Sequence, residues 1–238
     1  MPKRCMTNRA RRTCVFAGPS TAGQAIEGFQ LRPPATRGAL IDAVRDGYTQ
    51  LAFIDGAIDL GDQVPLRELR EVLAMPEIRL YGAASMGAIR AVQLAQCGMR
   101  GAGRVFRLFR RGALTDSDEV FVLHAPAALR YRPLTLPLIN IRFTLRSLRR
   151  YGEISAAEER AIGAYMRDIP WFDRDKHSVI AAVFAICGSN RRARVMNSFE
   201  CAYRDVKQQD ALSLLSMLKS KAPTYPGAAR RECVGIRQ

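Results

Sequence analysis

The segment Ala83-Ala84-Ser85-Met86-Gly87-Ala88 has the residue types of a turn that presents a serine nucleophile. It lies between a candidate strand and a candidate helix, as the G-x-S-x-G turn of hydrolases does, although an alanine replaces the first glycine. Small neighbours allow a tight turn, and the free N–H groups of the helix start can hold an oxyanion. Two other interpretations remain open: Ser85 caps its helix, or the helix start binds a static anion such as phosphate.

A serine nucleophile needs a base, and the sequence offers two candidates, His124 and Asp55. His124 ends a short apolar run, and an acidic cluster that includes Glu119 precedes it, so that a carboxylate can orient the imidazole. Asp55 follows a candidate strand and either acts as the base or accepts backbone N–H bonds. A structural role for His124 also remains open, and His177 is predicted to be an ordinary surface residue.

Polar side chains follow three candidate strands: Ser20, Asp55 and Ser85. In open parallel sheets, ligands bind outside the carboxyl ends of the strands, so we expect these residues within about 15 Å of one another, in one pocket. The predicted catalytic residues are Ser85, His124 and Asp55. The predicted substrate-binding residues are Ser20, Met86, Gly87, Glu119, Asn140 and Arg142.

Short apolar runs alternate with amphipathic helical patterns in the first half of the chain, which predicts parallel βαβ units. The candidate strands are residues 13–16, 51–54 and 78–81, and the candidate helices are residues 38–46, one that opens at Pro65 and one from Ser85 to Gly98. From about residue 131, helical patterns replace the strand signal. The predicted fold class is therefore α/β, a three-layer domain with a parallel sheet followed by a helical C-terminal region. The predicted boundaries are 1–12 for a basic tail, 13–130 for the α/β domain, 131–221 for the helical region and 222–238 for a second tail.

The composition describes a globular chain with a strong basic excess. Of 238 residues, 48% are hydrophobic, and 37 Lys and Arg against 22 Asp and Glu give a formal net charge of +15. Such a surface attracts acidic partners, whether nucleic acid, an acidic protein or a carboxylate-bearing peptide. Arg142, Arg146, Arg149 and Arg150 form a stripe on one candidate helix. Because no aromatic residues alternate with this stripe, nucleic acid is the less favoured partner.

Cysteine and histidine usage argues against a metal centre. The six cysteines form no C-x-x-C pair and the chain has only two histidines, so we expect neither a metal nor another cofactor. The longest apolar run, residues 179–187, is far shorter than the ~20 residues that span a bilayer, and the N-terminal apolar run is too short for a signal peptide. The sequence predicts a cytoplasmic protein with reduced thiols and no membrane partner.

The stretch from Gly82 to Ala127, together with PLINIRFTL at 137–145, closely resembles the TfuA-like family, which is named from trifolitoxin biosynthesis. The likeness runs from Val15 to about Gly152. It implies an accessory protein of ribosomal peptide antibiotic biosynthesis that works with a YcaO enzyme, which activates backbone amides with ATP. It further implies hydrolysis of the C-terminal thiocarboxylate of a small sulfur-carrier protein, which supplies sulfide for backbone thioamides. Ser85 suits that acyl transfer, and Arg142, beside Asn140, is expected to line a pocket.

Two positions depart from the family pattern. Family members usually carry a His in the segment after Asp-Gly and a Trp-His pair shortly after Gln-Val-Pro. Here residues 57–62 read AIDLGD, and the pair falls on Glu68-Leu69. A second function therefore remains open beside the hydrolase: a non-catalytic partner that activates its YcaO enzyme. Nucleic-acid binding is the third and least favoured function.

Overall fold

A computed structural model describes residues 12–220 and contains one parallel sheet. The strands lie in the order β2-β1-β3-β4-β5, and their bounds are Thr13–Phe16 (β1), Gln30–Arg32 (β2), Gln50–Phe53 (β3), Arg79–Gly82 (β4) and Arg100–Gly101 (β5). The predicted parallel sheet is confirmed, and the three predicted strands lie within one residue of their observed positions. The sequence analysis missed β2 and β5 because these short edge strands are partly exposed and carry no buried apolar run.

One face of the sheet is covered by helices that follow the strands directly. They are α1 (Ala39–Arg45), α2 (Leu66–Leu73) and α3 (Met86–Gln93), and α4 (Gly103–Arg110) follows β5. Successive side chains of a strand point to opposite faces, so Cys14 and Phe16 of β1 pack with these helices while Val15 points away. This packing fixes the start of α3 against the carboxyl end of β3.

The opposite face of the sheet is covered from the far end of the chain. The connection between β1 and β2 contains a single 3₁₀ turn, Pro19–Thr21, and no α-helix. No helix of this connection therefore covers the opposite face of the sheet. Instead α9 (Val206–Ser220) packs Leu214 and Leu218 against Val15 and Ile54. The third layer of the α/β domain thus comes from the region 131–221 that the sequence analysis described only as helical.

The remaining helices build a second core. They are α5 (Leu138–Arg150), α6 (Ala156–Asp168), α7 (Lys176–Cys187) and α8 (Ser189–Ala202). The predicted helical region is confirmed, and the capping box of Ser155 and Glu158 begins α6 as the sequence indicated. Helix α5 joins the two cores, because Ile139 packs on the sheet side and Ile141 in the helical core. Both predicted tails, apart from Arg12, lie outside the described residues.

Two features are absent from residues 12–220. No helix there has the length and apolar character needed to cross a bilayer. No group of three or more His, Cys, Asp or Glu side chains there is arranged to hold a metal ion.

Candidate active site

A cavity of about 210 Å³, which we call the switch-point cavity, opens at the carboxyl ends of the central strands. Asp55, Ser85 and His124 all line it. The connections from β1 and β3 leave in opposite directions along the sheet, and open α/β sheets bind ligands at such a point. The structure thus brings together the three residues that the sequence analysis selected for catalysis.

Ser85 lies on a sharp turn between β4 and α3. The backbone of Ala84 has φ +65°, and the Ser85 N–H donates to the Ala83 carbonyl at 2.8 Å, which closes a three-residue turn. A non-glycine residue in this region costs about 1–3 kcal/mol. Ser85 occupies the N-cap position of α3, yet its side chain makes no capping hydrogen bond. The hydroxyl instead donates to the Val120 carbonyl at 3.4 Å, so the capping interpretation is not observed.

Close packing of two glycines holds this turn against β3. A Cβ on Gly87 would lie 1.7 Å from the Phe53 carbonyl oxygen, and one on Gly82 would lie 2.0 Å from the Gly87 oxygen. The Gly87 N–H donates to the Ile54 carbonyl at 3.2 Å and so is not free to hold an oxyanion. Within residues 12–220, the Met86 N–H has no acceptor, so it remains free to donate. Neither Met86 nor Gly87 is among the residues that line the switch-point cavity.

The Asp55 carboxylate binds the loop that follows β1. It accepts the Gly18 N–H and the Ser20 N–H, both at 2.9 Å, and the Ser20 hydroxyl at 2.6 Å. Both side chains are buried. Of the two predicted roles for Asp55, the structure displays the acceptor role. Ser20 lies behind Asp55, and it is absent from the lining of the switch-point cavity.

His124 lies at the mouth of the cavity on a short hairpin. The Leu134 N–H donates to the Leu123 carbonyl at 2.8 Å, and the imidazole meets the Tyr131 ring edge-on at 5.6 Å. Nδ1 lies 2.9 Å from the Ala125 carbonyl, which can only accept, so the hydrogen bond requires a hydrogen on Nδ1. The side chain is exposed, and no hydrogen bond joins His124 to Ser85.

Three other predicted binding residues lie elsewhere. Arg142 forms a two-pronged ion pair with the buried Glu119, with Nη2–Oε1 at 2.8 Å and Nε–Oε2 at 3.0 Å. Asn140 is 1% exposed, donates to Asp205 at 3.0 Å and accepts the Val206 N–H at 3.0 Å. None of the three lines the switch-point cavity. Their contacts tie the loop before His124 to α5, and α5 to the start of α9.

Two basic residues that sequence reasoning missed also hold this loop. Arg174 is fully buried and donates to Asp118 Oδ2 at 2.6 Å. Lys207, near the start of α9, is 3% exposed, and its Nζ donates to the Val120 carbonyl at 2.5 Å. Both lie in charged stretches that are typical of a protein surface, so no signal in the sequence marked them as buried.

A second cavity, of about 420 Å³, is lined by Arg104, Arg146, Arg150 and Arg204, and we call it the arginine cavity. None of the four forms an ion pair with a carboxylate of the described chain. Arg149, in contrast, pairs with Glu159 at 2.5 Å. The predicted arginine stripe is therefore divided, because Arg142 and Arg149 are paired while Arg146 and Arg150 face the cavity.

The fold and the cavity define a doubly wound α/β protein with a serine-lined crevice at its switch point. The sequence profile of the TfuA-like protein family matches residues 55–175, just over half of the chain. The chain belongs to the TfuA-like family. Membership links it to the YcaO-associated thioamidation of ribosomal peptides. No curated protein matches the chain significantly.

Proposed function

We propose that this protein hydrolyses the C-terminal thiocarboxylate of a small sulfur-carrier protein and so supplies sulfide to a YcaO-type enzyme. The observation that carries the proposal is the state of Ser85. Its hydroxyl lines a cavity at the switch point of the sheet, on a strained turn, and does not serve as a helix cap. A serine held in this way is suited to acyl transfer.

The reaction begins when Ser85 Oγ attacks the thiocarboxyl carbon. The carbon–sulfur bond breaks, sulfide leaves as hydrosulfide, and the carrier remains bound to Ser85 as an ester, which water then hydrolyses. Negative charge develops on the carbonyl oxygen during both attacks. The Met86 N–H, at the start of α3, is the donor available to it, and one such donor is worth about 10²–10³ in rate.

The dimensions of the cavity suit a chain terminus. A volume of about 210 Å³ admits a few residues of an extended tail and excludes a folded domain. Ile58, Val122 and Leu123 make much of the wall apolar, as in ligand cavities in general. His124, at the mouth, is placed to contact the incoming thiocarboxylate.

The two departures from the family pattern have different consequences here. Leu69 is fully buried in the core beneath α2, so it contributes nothing to the cavity. Ala57 and Ile58, in contrast, line the cavity where family members carry a His nearby. This apolar wall supports a second candidate function, a non-catalytic partner that activates the YcaO enzyme. The unpaired arginines of the arginine cavity support either candidate, because an acidic partner surface can dock there.

Sulfide release from a thiocarboxylated carrier protein tests the proposal. Wild-type protein should release sulfide, and Ser85→Ala should abolish release without changing the circular dichroism spectrum. Ser213→Ala, which removes an exposed hydroxyl from α9, is the matched control and should behave as wild type. If Ser85→Ala released sulfide at the wild-type rate, the mechanism would be wrong. If the wild type released none yet stimulated the YcaO enzyme, the second candidate would stand.

A further inference from the structure

One carbonyl oxygen in the loop before His124 accepts hydrogen bonds from two groups that the proposed reaction needs close together. The Val120 oxygen accepts from Ser85 Oγ at 3.4 Å and from Lys207 Nζ at 2.5 Å. Because both bonds end on the same oxygen, the two distances place the hydroxyl oxygen and the amine nitrogen no more than 3.4 + 2.5 = 5.9 Å apart.

Lys207 lacks the partners that a buried ammonium requires. Its side chain is almost fully buried, and within the described chain Val120 O is its sole hydrogen-bond acceptor. The nearest carboxylates are engaged elsewhere: Asp55 binds the loop after β1, and Asp205 binds Asn140 and the Gln208 N–H. Burial lowers the pKa of Lys207, and the negative charges of Asp55 and Asp205 only partly oppose this effect. A lysine in such a place is suited to be a base.

We propose that Lys207 is the catalytic base that accepts the Ser85 proton, an inference that rests on the proposed function. As Ser85 Oγ bonds to the thiocarboxyl carbon, its proton passes to the neutral amine. Lys207 then returns the proton to sulfur as the carbon–sulfur bond breaks, and hydrosulfide leaves. In the second half, Lys207 takes a proton from the attacking water and delivers it to Ser85 Oγ as the ester bond breaks.

The other two candidate bases are less well placed. Asp55 already accepts three hydrogen bonds from Gly18 and Ser20 and makes none with Ser85. His124 is exposed and makes no hydrogen bond with Ser85 within the described chain, although both residues line the cavity. Lys207 also lies outside residues 55–175, the part that matches the family. It is absent from the lining of the switch-point cavity, and it reaches the Val120 carbonyl behind Ser85 only because α9 packs back onto the sheet.

A serine-reactive fluorophosphonate probe tests this inference without any assumption about the substrate. The probe should label Ser85, and Lys207→Met and Lys207→Arg should both slow labelling by about 10²–10⁴-fold, the usual contribution of a general base. The arginine variant keeps the charge but cannot be deprotonated. Lys219→Met, which changes an exposed lysine of the same helix, should label as wild type. The wild-type rate should rise with pH through a midpoint below the usual pKa of lysine.

The same measurements can overturn the inference. Wild-type labelling in Lys207→Arg would mean that only the charge matters, and loss of the pH dependence in His124→Gln would make His124 the base. If the Lys207 variants fail to fold, the pH profiles of wild type and His124→Gln distinguish the two bases. Equal profiles support Lys207, and a flat profile for His124→Gln makes His124 the base. Labelling that depends on Lys207 without sulfide release would refute the proposed substrate alone. Sulfide release that needs Ser85 but not Lys207 would refute the base alone.

Discussion

Replacing Gly87 with alanine should destabilise the packing of α3 against β3, next to Ser85. The new Cβ would lie 1.7 Å from the Phe53 carbonyl oxygen and 2.6 Å from its carbon, both of which belong to the backbone of β3. Neither atom can swing aside, so the start of α3 must move away by more than 1 Å to reach an ordinary contact. That movement also stretches the hydrogen bond from the Gly87 N–H to the Ile54 carbonyl.

The expected cost is about 3 kcal/mol, from roughly 2 kcal/mol of overpacking and roughly 1 kcal/mol for the hydrogen bond. For a chain of this size, that corresponds to a fall of about 6–12 °C in melting temperature. Ser85 moves with the helix, so probe labelling should fall as well.

Gly163→Ala provides the matched control in thermal melts followed by circular dichroism. A Cβ at Gly163, in α6, meets no atom within 4 Å. The alanine should therefore raise stability by about 0.5–1 kcal/mol through helix propensity. If Gly87→Ala melted within a degree of wild type, the close approach of α3 to β3 would be refuted.

Two further predictions concern charge. Replacing Arg146 and Arg150 together by glutamine should slow association with a YcaO or carrier partner at low salt and have little effect at high salt, measured by surface plasmon resonance. Tight, salt-sensitive binding to unrelated duplexes without an effect on partner association would instead favour nucleic acid as the ligand. Asp55→Asn should destabilise the fold by about 1–3 kcal/mol in urea titrations, because the carboxylate loses charge-assisted bonds from the loop after β1; an unchanged midpoint would contradict that role.

The central strands and their helices could be predicted because their signals are local. Residues 13–16 form a largely buried apolar run followed by Gly18-Pro19, and Pro65 lies at the N-cap of α2, one residue before the first helical position that the sequence indicated. The clustering of Asp55 and Ser85 also followed from the sequence, since parallel strands bring their carboxyl ends to one edge.

Contacts between distant segments of the chain could not be predicted from the sequence. Arg142 lines a cavity of about 390 Å³, separate from the switch-point cavity, but it is paired there with Glu119, and nothing local to either residue shows the ion pair. Lys207 follows Asp205 and precedes two glutamines, a composition typical of a solvated helix start. Its burial depends on α9 crossing the sheet, a placement fixed by residues near the other end of the chain.

The return of α9 to the sheet also determines when the site can assemble during synthesis. Until residues 206–220 leave the ribosome, Val15, Ala52 and Ile54 lack the cover that Leu214 and Leu218 provide on their face of the sheet. An exposed apolar face of this kind invites aggregation, and contacts so distant in sequence form slowly. The same helix carries Lys207, so a nascent chain that ends before α9 holds Ser85 but lacks the base that we propose. The chain therefore cannot perform the proposed chemistry until its last described helix has docked.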